Sequence, residues 1–339
     1  MNWTNFILAT VFVPIIAFVV STWVPGIMRK IQARIQQRIG PPVLMPGFWA
    51  VLKFFYKKRI KPVSPLPRLY HSIPVIGIFL MFFIILLTNP EWRDILGLAT
   101  LVALAGLIKV EEALYVIMGN LSNNIMSVRM PYPDLVSGAT MKTRIRRNYE
   151  KIGVTRAFKL ITVGSFPLYL GMFVPAVIVG SIGVMSIAGY QGFDMGSFTL
   201  SSIFDMRPLL FTLPGVVGAI AYFAGYLVII NEYPFSIMHT KADVIEGPTM
   251  EYAAAARAGY YLMREMTMFV MSSVFVTLYF GIPPALNWAM IPHIILAMIL
   301  PVIAAIVSAF TPVLTFRQIY PLSLGFSAIG VIGVIVAIL

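Results

Sequence analysis

Long apolar segments alternate along the chain with shorter polar segments that are mostly basic. Several apolar windows exceed the roughly 18 residues that mark a membrane-spanning helix, and they show too little two-residue alternation for a transmembrane β-barrel. The pattern predicts an all-α polytopic membrane protein, with a single membrane domain over residues 1–339 and about eight transmembrane helices. The predicted helices cover Phe6–Ile27, Ser72–Thr88, Ile95–Gly119, Ala157–Ile187, Leu209–Ile230, Met266–Pro283, Ala289–Phe310 and Leu322–Leu339.

Basic residues are divided unevenly between the predicted loops. The even-numbered loops hold only Arg93 and Arg207, whereas the odd-numbered loops hold nearly all other lysines and arginines. Because loops rich in lysine and arginine stay in the cytoplasm, we expect large basic cytoplasmic loops, both termini outside and a multi-pass protein of the cell (plasma) membrane. The expected cytoplasmic loops cover about 28–71, 120–156, 231–265 and 311–321.

Composition agrees with a membrane protein, because 59% of the residues are hydrophobic and 11% are charged, against about a quarter charged in soluble domains. The net charge of +12 would suggest nucleic-acid binding in a soluble protein. In a membrane protein, basic loops set the topology and contact anionic lipid. We therefore expect the lipid bilayer, and no nucleic acid, as a partner.

Motifs for cofactors and catalysis are absent from the sequence. The chain has no cysteine, which excludes disulfides, thiolate-held iron–sulfur clusters and cysteine-based zinc sites on it. Its three histidines, His71, His239 and His293, have no metal-binding spacing. No phosphate-binding glycine motif, serine elbow, zinc-protease helix or kinase motif occurs. We expect no catalytic residue, no metal and no cofactor on this chain.

Three charged residues, Lys109, Glu111 and Glu112, lie within the third predicted helix. A charge at the centre of a spanning helix costs about 2.5–3.5 kcal/mol on insertion scales, so intramembrane charges point to function. Lys109 and Glu112 are three residues apart and can share a helix face, whereas Glu111 points elsewhere. We interpret the three as candidates for a proton or ion relay. The alternative is a Lys–Glu pair that only packs against neighbouring helices.

The fifth loop contains more acids than bases, unlike the other loops predicted to be cytoplasmic. It can pair with the basic first and third loops and build a polar cavity at the membrane surface. The alternative is a solvated or partner-facing loop without a role in transport. One further acid of this loop is Glu265. The candidate relay residues of the loop are Glu232, Asp243, Glu246 and Glu251.

The first loop, from Arg29 to Tyr70, contains ten basic residues and no acid. An aromatic and basic run follows its Gly-Pro-Pro sequence. We expect this loop to contact other parts of a larger assembly. The residues assigned to this docking loop are Arg34, Arg38, Gly40, Pro41, Trp49 and Lys53.

Several motifs give the chain a family resemblance. Arg34–Pro42 reads RIQQRIGPP and Asn231–Phe235 reads NEYPF. They resemble the first and fifth loops of the complex I membrane subunit at the quinone end. Asp243–Tyr252 is similar to the rest of that acidic fifth loop, and Gly153–Ala157 is similar to the family's entry to the following helix. The family implies eight transmembrane helices and an anchor for peripheral redox subunits.

The chain departs from the quinone-using members of that family. Met45 stands where they have a glutamine, and Trp49 stands at about the position of an aspartate, with Lys53 near a lysine position. These departures imply a complex that works without quinone, as in archaeal energy-converting membrane-bound hydrogenase and membrane-bound sulfane sulfur reductase. Whether the loop cavity holds quinone, lipid or water stays open. Positions at which the family has acids are occupied by Ser236, His239 and Lys241.

The resemblance implies a non-catalytic membrane anchor and coupling subunit of a ferredoxin-driven respiratory oxidoreductase complex, of the sulfane sulfur reductase or nickel–iron hydrogenase type. Peripheral hydrogenase-like and iron–sulfur subunits would dock on the first, third and fifth loops and would carry the iron–sulfur clusters and a metal centre. Antiporter-like membrane subunits would move H⁺ or Na⁺. Two alternatives stay open: a stand-alone ion or solute transporter, and a purely structural membrane anchor.

Overall fold

The computed structural model describes residues 3–43, 45–60, 62, 64–92, 99–122, 149–194, 198–199, 201–237 and 247–339. Within these ranges the chain is almost entirely helical, and its one β contact is an isolated bridge between Thr100 and Gly183. The same ranges contain thirteen α-helices: α1 (Trp3–Ser21), α2 (Val24–Ile35), α3 (Met45–Phe55), α4 (Pro67–Leu87), α5 (Leu101–Leu121), α6 (Tyr149–Lys159), α7 (Phe166–Val179), α8 (Val184–Tyr190), α9 (Leu213–Ile229), α10 (Ala254–Phe275), α11 (Met290–Ala297), α12 (Ile299–Phe310) and α13 (Phe316–Ile338).

Five helical stretches are long and apolar enough to cross a membrane, and a bent helix pair would form a sixth span. The helices α5 and α10 fall outside this set, and each carries three charged residues. The all-α membrane fold predicted from the sequence is confirmed, whereas the number of spans and the side of each loop stay predictions. The stretches are Trp3–Ile35, Pro67–Leu87, Gly153–Val179, Met290–Phe310 and Arg317–Ile338, and the pair is Ser202–Phe211 with Leu213–Ile229.

Helical structure extends into ranges that the sequence predicts as loops. Helix α2 extends into the predicted first loop, α3 lies within that loop, α6 begins in the third, and α10 begins at Ala254 instead of Met266. These segments mix apolar and polar positions; α2, for example, buries Val24 and Met28 and exposes Arg34. A hydropathy pattern finds only the apolar part of such a helix, which explains why α10 begins well before the sixth predicted helix does.

Helices α7 and α9 approach each other closely because glycines lie at their contact. A Cβ atom at Gly171 would lie 2.6 Å from the Tyr222 amide nitrogen, and a Cβ atom at Gly225 would overlap the backbone of Leu168. Small residues at such positions are typical of helix pairs in membranes. Helix α13 packs against both α7 and α9 and completes this group.

Helix α10 lies in the interior of the molecule. Its residues Glu265–Phe275 are all buried, and it contacts α1, α3, α4 and α11. Tyr222 and Tyr226 of α9 donate hydrogen bonds to the α10 carbonyls of Met271 (2.7 Å) and Met268 (3.1 Å). Polar side chains in the second half of α10 therefore meet other helices and not the surface.

A π-helical segment, Leu160–Gly164, joins α6 to α7. Pro167 lies four residues after Val163 and has no N–H group for the Val163 carbonyl. Ser323 of α13 donates to that carbonyl instead, at 2.8 Å. Segments of this kind release backbone carbonyls from the regular helical pattern and are frequent at functional sites.

Candidate functional site

The charged residues of α5 lie on two faces of the helix that meet different neighbours. Lys109 and Glu112 contact α7 and the π segment, whereas Glu111 contacts α10. Successive residues of a helix are roughly 100° apart, so neighbouring glutamates face different directions. The pairing of Lys109 with Glu112, expected from their spacing, is present.

Oxygen atoms from several elements surround the Lys109 ammonium. Its Nζ atom lies 2.6 Å from Glu112 Oε2, and it donates to Ser165 Oγ at 2.8 Å and to the Ile161 carbonyl at 2.9 Å. These acceptors use all three N–H groups of a lysine ammonium. The Tyr169 ring centroid lies 4.6 Å from Nζ, and its hydroxyl donates to Glu112 Oε2 at 3.3 Å. We call these five residues the Lys109 site.

The π segment makes the Ile161 carbonyl available to the Lys109 site. In a regular α-helix the Ser165 amide would donate to Ile161, but it donates to the Leu160 carbonyl at 3.2 Å. The Ser165 hydroxyl also donates to the Ile161 carbonyl, at 2.9 Å. A local departure from helical geometry thus supplies one of the three acceptors of Lys109.

The two partners of this ion pair differ in burial. The Glu112 side chain is 4% exposed and the Lys109 side chain is 42% exposed. A cavity of about 10 Å³ lies beside Glu112, between Tyr115, Leu160 and Val228, which is the smallest size that admits one water molecule. Glu112 therefore holds its position in the interior, while Lys109 approaches it from a partly open face.

Glu111 has fewer polar contacts than Glu112. It is 1% exposed, and Thr267 Oγ1 of α10 lies 3.0 Å from its Oε1 atom. The Thr267 hydroxyl has one proton, and the Met263 carbonyl competes for it at 2.9 Å. Glu111 Oε2 has no hydrogen-bond partner in the described part of the chain, nor does any ion pair found there include Glu111. We call Glu111 and Thr267 the Glu111 site.

A second ion pair joins the segment that follows α9 to α10. Arg264 Nη2 lies 2.6 Å from Glu232 Oε1. The preceding residue, Asn231, is 4% exposed and has a φ of +51°. Next to Arg264, Glu265 is 6% exposed, and its Oε2 atom has no hydrogen-bond partner among the described residues. Arg264, Glu265 and Thr267 thus place polar groups on α10 between Glu232 and Glu111.

The residues that the structure describes contain no group of three His, Asp or Glu side chains able to hold a metal ion. The polar groups of the interior instead form pairs across helix contacts: Lys109 with Glu112, Glu111 with Thr267, and Glu232 with Arg264. This arrangement can hold and exchange protons or small cations.

A family comparison accounts for nearly the whole chain, since the family described as NADH dehydrogenase matches residues 7–338. The chain belongs to this family. The resemblance to the complex I membrane protein is therefore confirmed.

Relatives and solved structures agree with this family. An uncharacterized protein of Methanocaldococcus jannaschii is 43% identical over 335 residues, which is 98% of each chain. An NADH-quinone oxidoreductase subunit of Burkholderia vietnamiensis is 24% identical over 72% of this chain, and the match spans 62% of that protein's length. A chain of the membrane-bound sulfane sulfur reductase, an archaeal respiratory membrane complex, has the same fold, with a TM-score of 0.78 at 22% identity over 98% of this chain and 99% of that one.

Two sequence motifs of this NADH dehydrogenase family member contact each other. A Cβ atom at Gly153 would lie 2.9 Å from Pro248 Cδ. Gly153 of the Gly153–Ala157 motif therefore packs directly on Pro248 of the fifth-loop motif, Asp243–Tyr252. Tyr252 of the fifth-loop motif stacks on Tyr70 with 4.3 Å between ring centroids, and its hydroxyl donates to the Tyr70 carbonyl at 2.9 Å. The half-buried Glu251 lies in the same segment.

The docking-loop residues lie on an exposed surface. Gly40 has a φ of +68°, which favours glycine, and turns the chain after α2. Trp49 and Lys53 lie on α3, which is a helix and not a loop, because Val51 packs against Ala258 and Leu262 of α10. Exposed members of the set are Arg34, Arg38, Trp49 and Lys53, and the half-buried members are Gly40 and Pro41.

Two glycines hold α3 and its preceding turn against the first two helices. A Cβ atom at Gly26 would overlap the Val43 carbonyl oxygen, and one at Gly47 would overlap the Thr22 carbonyl oxygen. The close contacts require glycine at both positions. The docking loop is therefore packed onto the membrane helices by the chain itself.

Sequence reasoning was incomplete for the fifth loop. Glu265, expected in a loop, is buried in α10, and the run of alanines that precedes it, with high helix propensity, is the signal that would have extended the helix. Arg264 and Thr267 were missed as partners because their acids are distant in sequence. The predicted relay residues Asp243 and Glu246 lie outside the described residues.

Proposed function

We propose that this chain is the membrane anchor and coupling subunit of a ferredoxin-driven respiratory complex of the sulfane sulfur reductase or nickel–iron hydrogenase type. It docks a peripheral electron-transfer arm, whose proteins hold the iron–sulfur clusters and a metal centre, and it links electron transfer to H⁺ or Na⁺ translocation by antiporter-like partner subunits. One observation carries this proposal. Buried and half-buried ionisable groups extend from the segment after α9 through α10 to α5, from the Glu232–Arg264 pair to the Lys109 site.

The surface end of this series lies next to the family motifs. Glu232 belongs to the NEYPF sequence and pairs with Arg264 at 2.6 Å. Thr267, three residues after Arg264, lies on the same side of α10 and contacts Glu111 at 3.0 Å. A change of charge at the surface therefore acts on Arg264 first and on the acids of α5 next.

The inner end of the series lies at a face that a partner can reach. Lys109 is 42% exposed although it belongs to a helix whose charges are otherwise buried. In a membrane, a charged side chain on an open face needs a protein partner or a water-filled cavity. An antiporter-like protein packed on this face meets that need and receives the ion.

The proposed docking surface contains exposed basic and aromatic residues on α2 and α3. Arg34 and Arg38 present positive charge, and Trp49 is 54% exposed. Aromatic and arginine side chains are enriched in protein interfaces. Trp49, at about the family's aspartate position, supports a complex that works without quinone, because an indole cannot replace a carboxylate as a hydrogen-bond acceptor.

The deciding experiment neutralises the acids of α5 in the assembled complex. Glu111→Gln and Glu112→Gln, singly and together, are expected to leave ferredoxin oxidation in place and to lower the number of ions pumped per electron. Asp205→Asn is the matched control, because it neutralises an exposed carboxylate away from α5. Subunit content must be equal in all preparations, since a lost ion pair can also disturb assembly.

Two outcomes contradict this proposal. Unchanged pumping in the double variant, together with release of the peripheral arm by Arg34→Ala and Arg38→Ala, would make the chain a structural anchor alone. Ion or solute transport by the purified chain in liposomes, without partner subunits, would make it a stand-alone transporter.

A further inference from the structure

The atoms around the Lys109 ammonium have the chemistry of a cation site. A carboxylate (Glu112), a hydroxyl (Ser165) and a backbone carbonyl (Ile161) lie 2.6–2.9 Å from Nζ. Oxygen ligands of these three kinds are those that hard metal cations prefer in proteins, and backbone carbonyls replace the hydration shell of ions in selectivity filters. The ammonium of Lys109 therefore occupies a position suited to a metal cation.

The site is formed by rigid elements rather than by Lys109 itself. Glu112 lies on α5 and Ser165 at the start of α7, and both are buried. The π segment exposes the Ile161 carbonyl, because the Ser165 amide donates to Leu160. The second half of this connection is held by Ser323, which donates to the Val163 carbonyl at 2.8 Å. The three oxygens would thus keep their positions if the lysine side chain moved.

Lys109 is the member of the site whose side chain has room to move. Its side chain has four rotatable bonds and is 42% exposed, whereas Glu112 is 4% exposed. A lysine that moves towards its exposed side leaves a buried carboxylate without a counter-charge, which costs several kcal/mol in a protein interior. A small cation that enters at that moment restores the net charge of the site.

We propose that the Lys109 site is an exchangeable site for an alkali-metal cation, Na⁺ or K⁺, in which the Lys109 ammonium is the resident occupant. The cation binds between Glu112, Ile161 and Ser165 when Lys109 swings away, and the total charge of the site stays constant through the exchange. The inference rests on the proposed function only in using two residues of the relay. Its test measures cation binding and not ion pumping, so the cation site and the proposed coupling function can each be contradicted without the other.

The test removes the resident ammonium and asks which cation replaces it. The full chain with Lys109→Met in lipid nanodiscs is heated in NaCl, KCl or choline chloride at equal ionic strength. A cation present at about 100 times its dissociation constant raises the midpoint temperature of unfolding by roughly 5 °C. We expect such a rise in NaCl or KCl over choline chloride, and the salt with the larger rise identifies the ion. Equal midpoints in all three salts would overturn the proposal.

Two control variants assign the effect to this site. Lys109→Met with Glu112→Gln removes the anionic ligand and should abolish the difference between the salts. Lys58→Met removes a positive charge at an exposed position but retains Lys109, which competes with the cation, so the difference between the alkali salts and choline should be much smaller than with Lys109→Met. A rise that persists without Glu112, or that is as large with Lys58→Met as with Lys109→Met, contradicts the proposal.

A measurement on the wild-type chain makes the test independent of the folding of Lys109→Met. Exchange predicts that wild-type protein broadens the ²³Na or ³⁹K resonance more than the Glu112→Gln variant does, at equal protein concentration. Equal line widths for wild type and Glu112→Gln with both nuclei would show that Lys109 is not exchanged.

Discussion

Glu111 and Glu112 are neighbours in sequence, yet their carboxyl groups lie on two faces of α5 and have different polar contacts. At the Lys109 site, Glu112 has an ammonium at 2.6 Å and a phenol hydroxyl at 3.3 Å. At the Glu111 site, one threonine hydroxyl is shared between Glu111 and a backbone carbonyl. One helix thus holds a carboxylate with a counter-charge beside a carboxyl group without one.

The difference separates two tasks that a relay needs. A buried carboxylate without a cation is costly, so such a group takes up a proton readily. A carboxylate with a bound ammonium keeps its negative charge, and it acts in the relay by exchanging that ammonium for another cation. We therefore expect Glu111 to carry a proton and Glu112 to carry a cation, and substitutions at five residues test this division.

Removal of the Lys109 ammonium should have the largest effect on stability. Lys109→Met leaves Glu112 without a counter-charge, and breaking a buried pair costs about 3–5 kcal/mol, with the lower end expected because Lys109 is partly exposed. The free energy of unfolding, measured in choline chloride, should fall by that amount. Lys109→Arg should retain most of the stability. A change no larger than that of Lys58→Met would mean that Glu112 needs no cation.

The two glutamine substitutions should differ from each other. Glu112→Gln leaves Lys109 without its anion and should lower the free energy of unfolding by about 2 kcal/mol. Glu111→Gln retains an oxygen for the Thr267 hydroxyl and removes no ion pair, so its cost should stay below about 1 kcal/mol. Chemical unfolding of both variants, side by side, measures the difference. Equal losses would remove the distinction between the two faces.

Thr267 is the hydrogen-bond donor that the structure assigns to Glu111. Thr267→Val keeps the side-chain shape and removes the hydroxyl, so a buried carboxyl loses its donor at a cost of about 1–2 kcal/mol. Thr267→Ser restores the hydroxyl and should restore the stability. If Thr267→Val has the same effect in the Glu111→Ala background, the hydroxyl serves only the Met263 carbonyl.

The smallest effect should come from the phenol at the Lys109 site. Tyr169→Phe keeps the ring beside the ammonium and removes a 3.3 Å hydrogen bond to Glu112, which is worth about 0.5–1 kcal/mol. Tyr169→Leu also removes the ring and should cost more. The free energies of unfolding of these variants rank the two contacts, and a larger loss for phenylalanine than for leucine would contradict this ranking.

Part of this site follows from the sequence because it depends on spacing within one helix. The i, i+3 separation of Lys109 and Glu112 is sufficient to predict their pairing. Ser165, Tyr169 and Thr267 were not predicted, since their contacts with α5 depend on how separate helices pack. The π segment also escapes prediction, because it results from Pro167 together with a serine 156 residues further along the chain, at position 323. Glu265 was assigned to a loop because hydropathy finds only the apolar part of α10.

The two glycine contacts of the first loop have a consequence for biogenesis. Because Gly26 and Gly47 let the chain pack its own loop against α1 and α2, the surface proposed for docking takes its shape without any partner. All of these contacts lie between Thr22 and Gly47, so they form within one short segment of the chain. We therefore expect the membrane part to be inserted and folded first, with the peripheral arm recruited afterwards to a surface that is already complete.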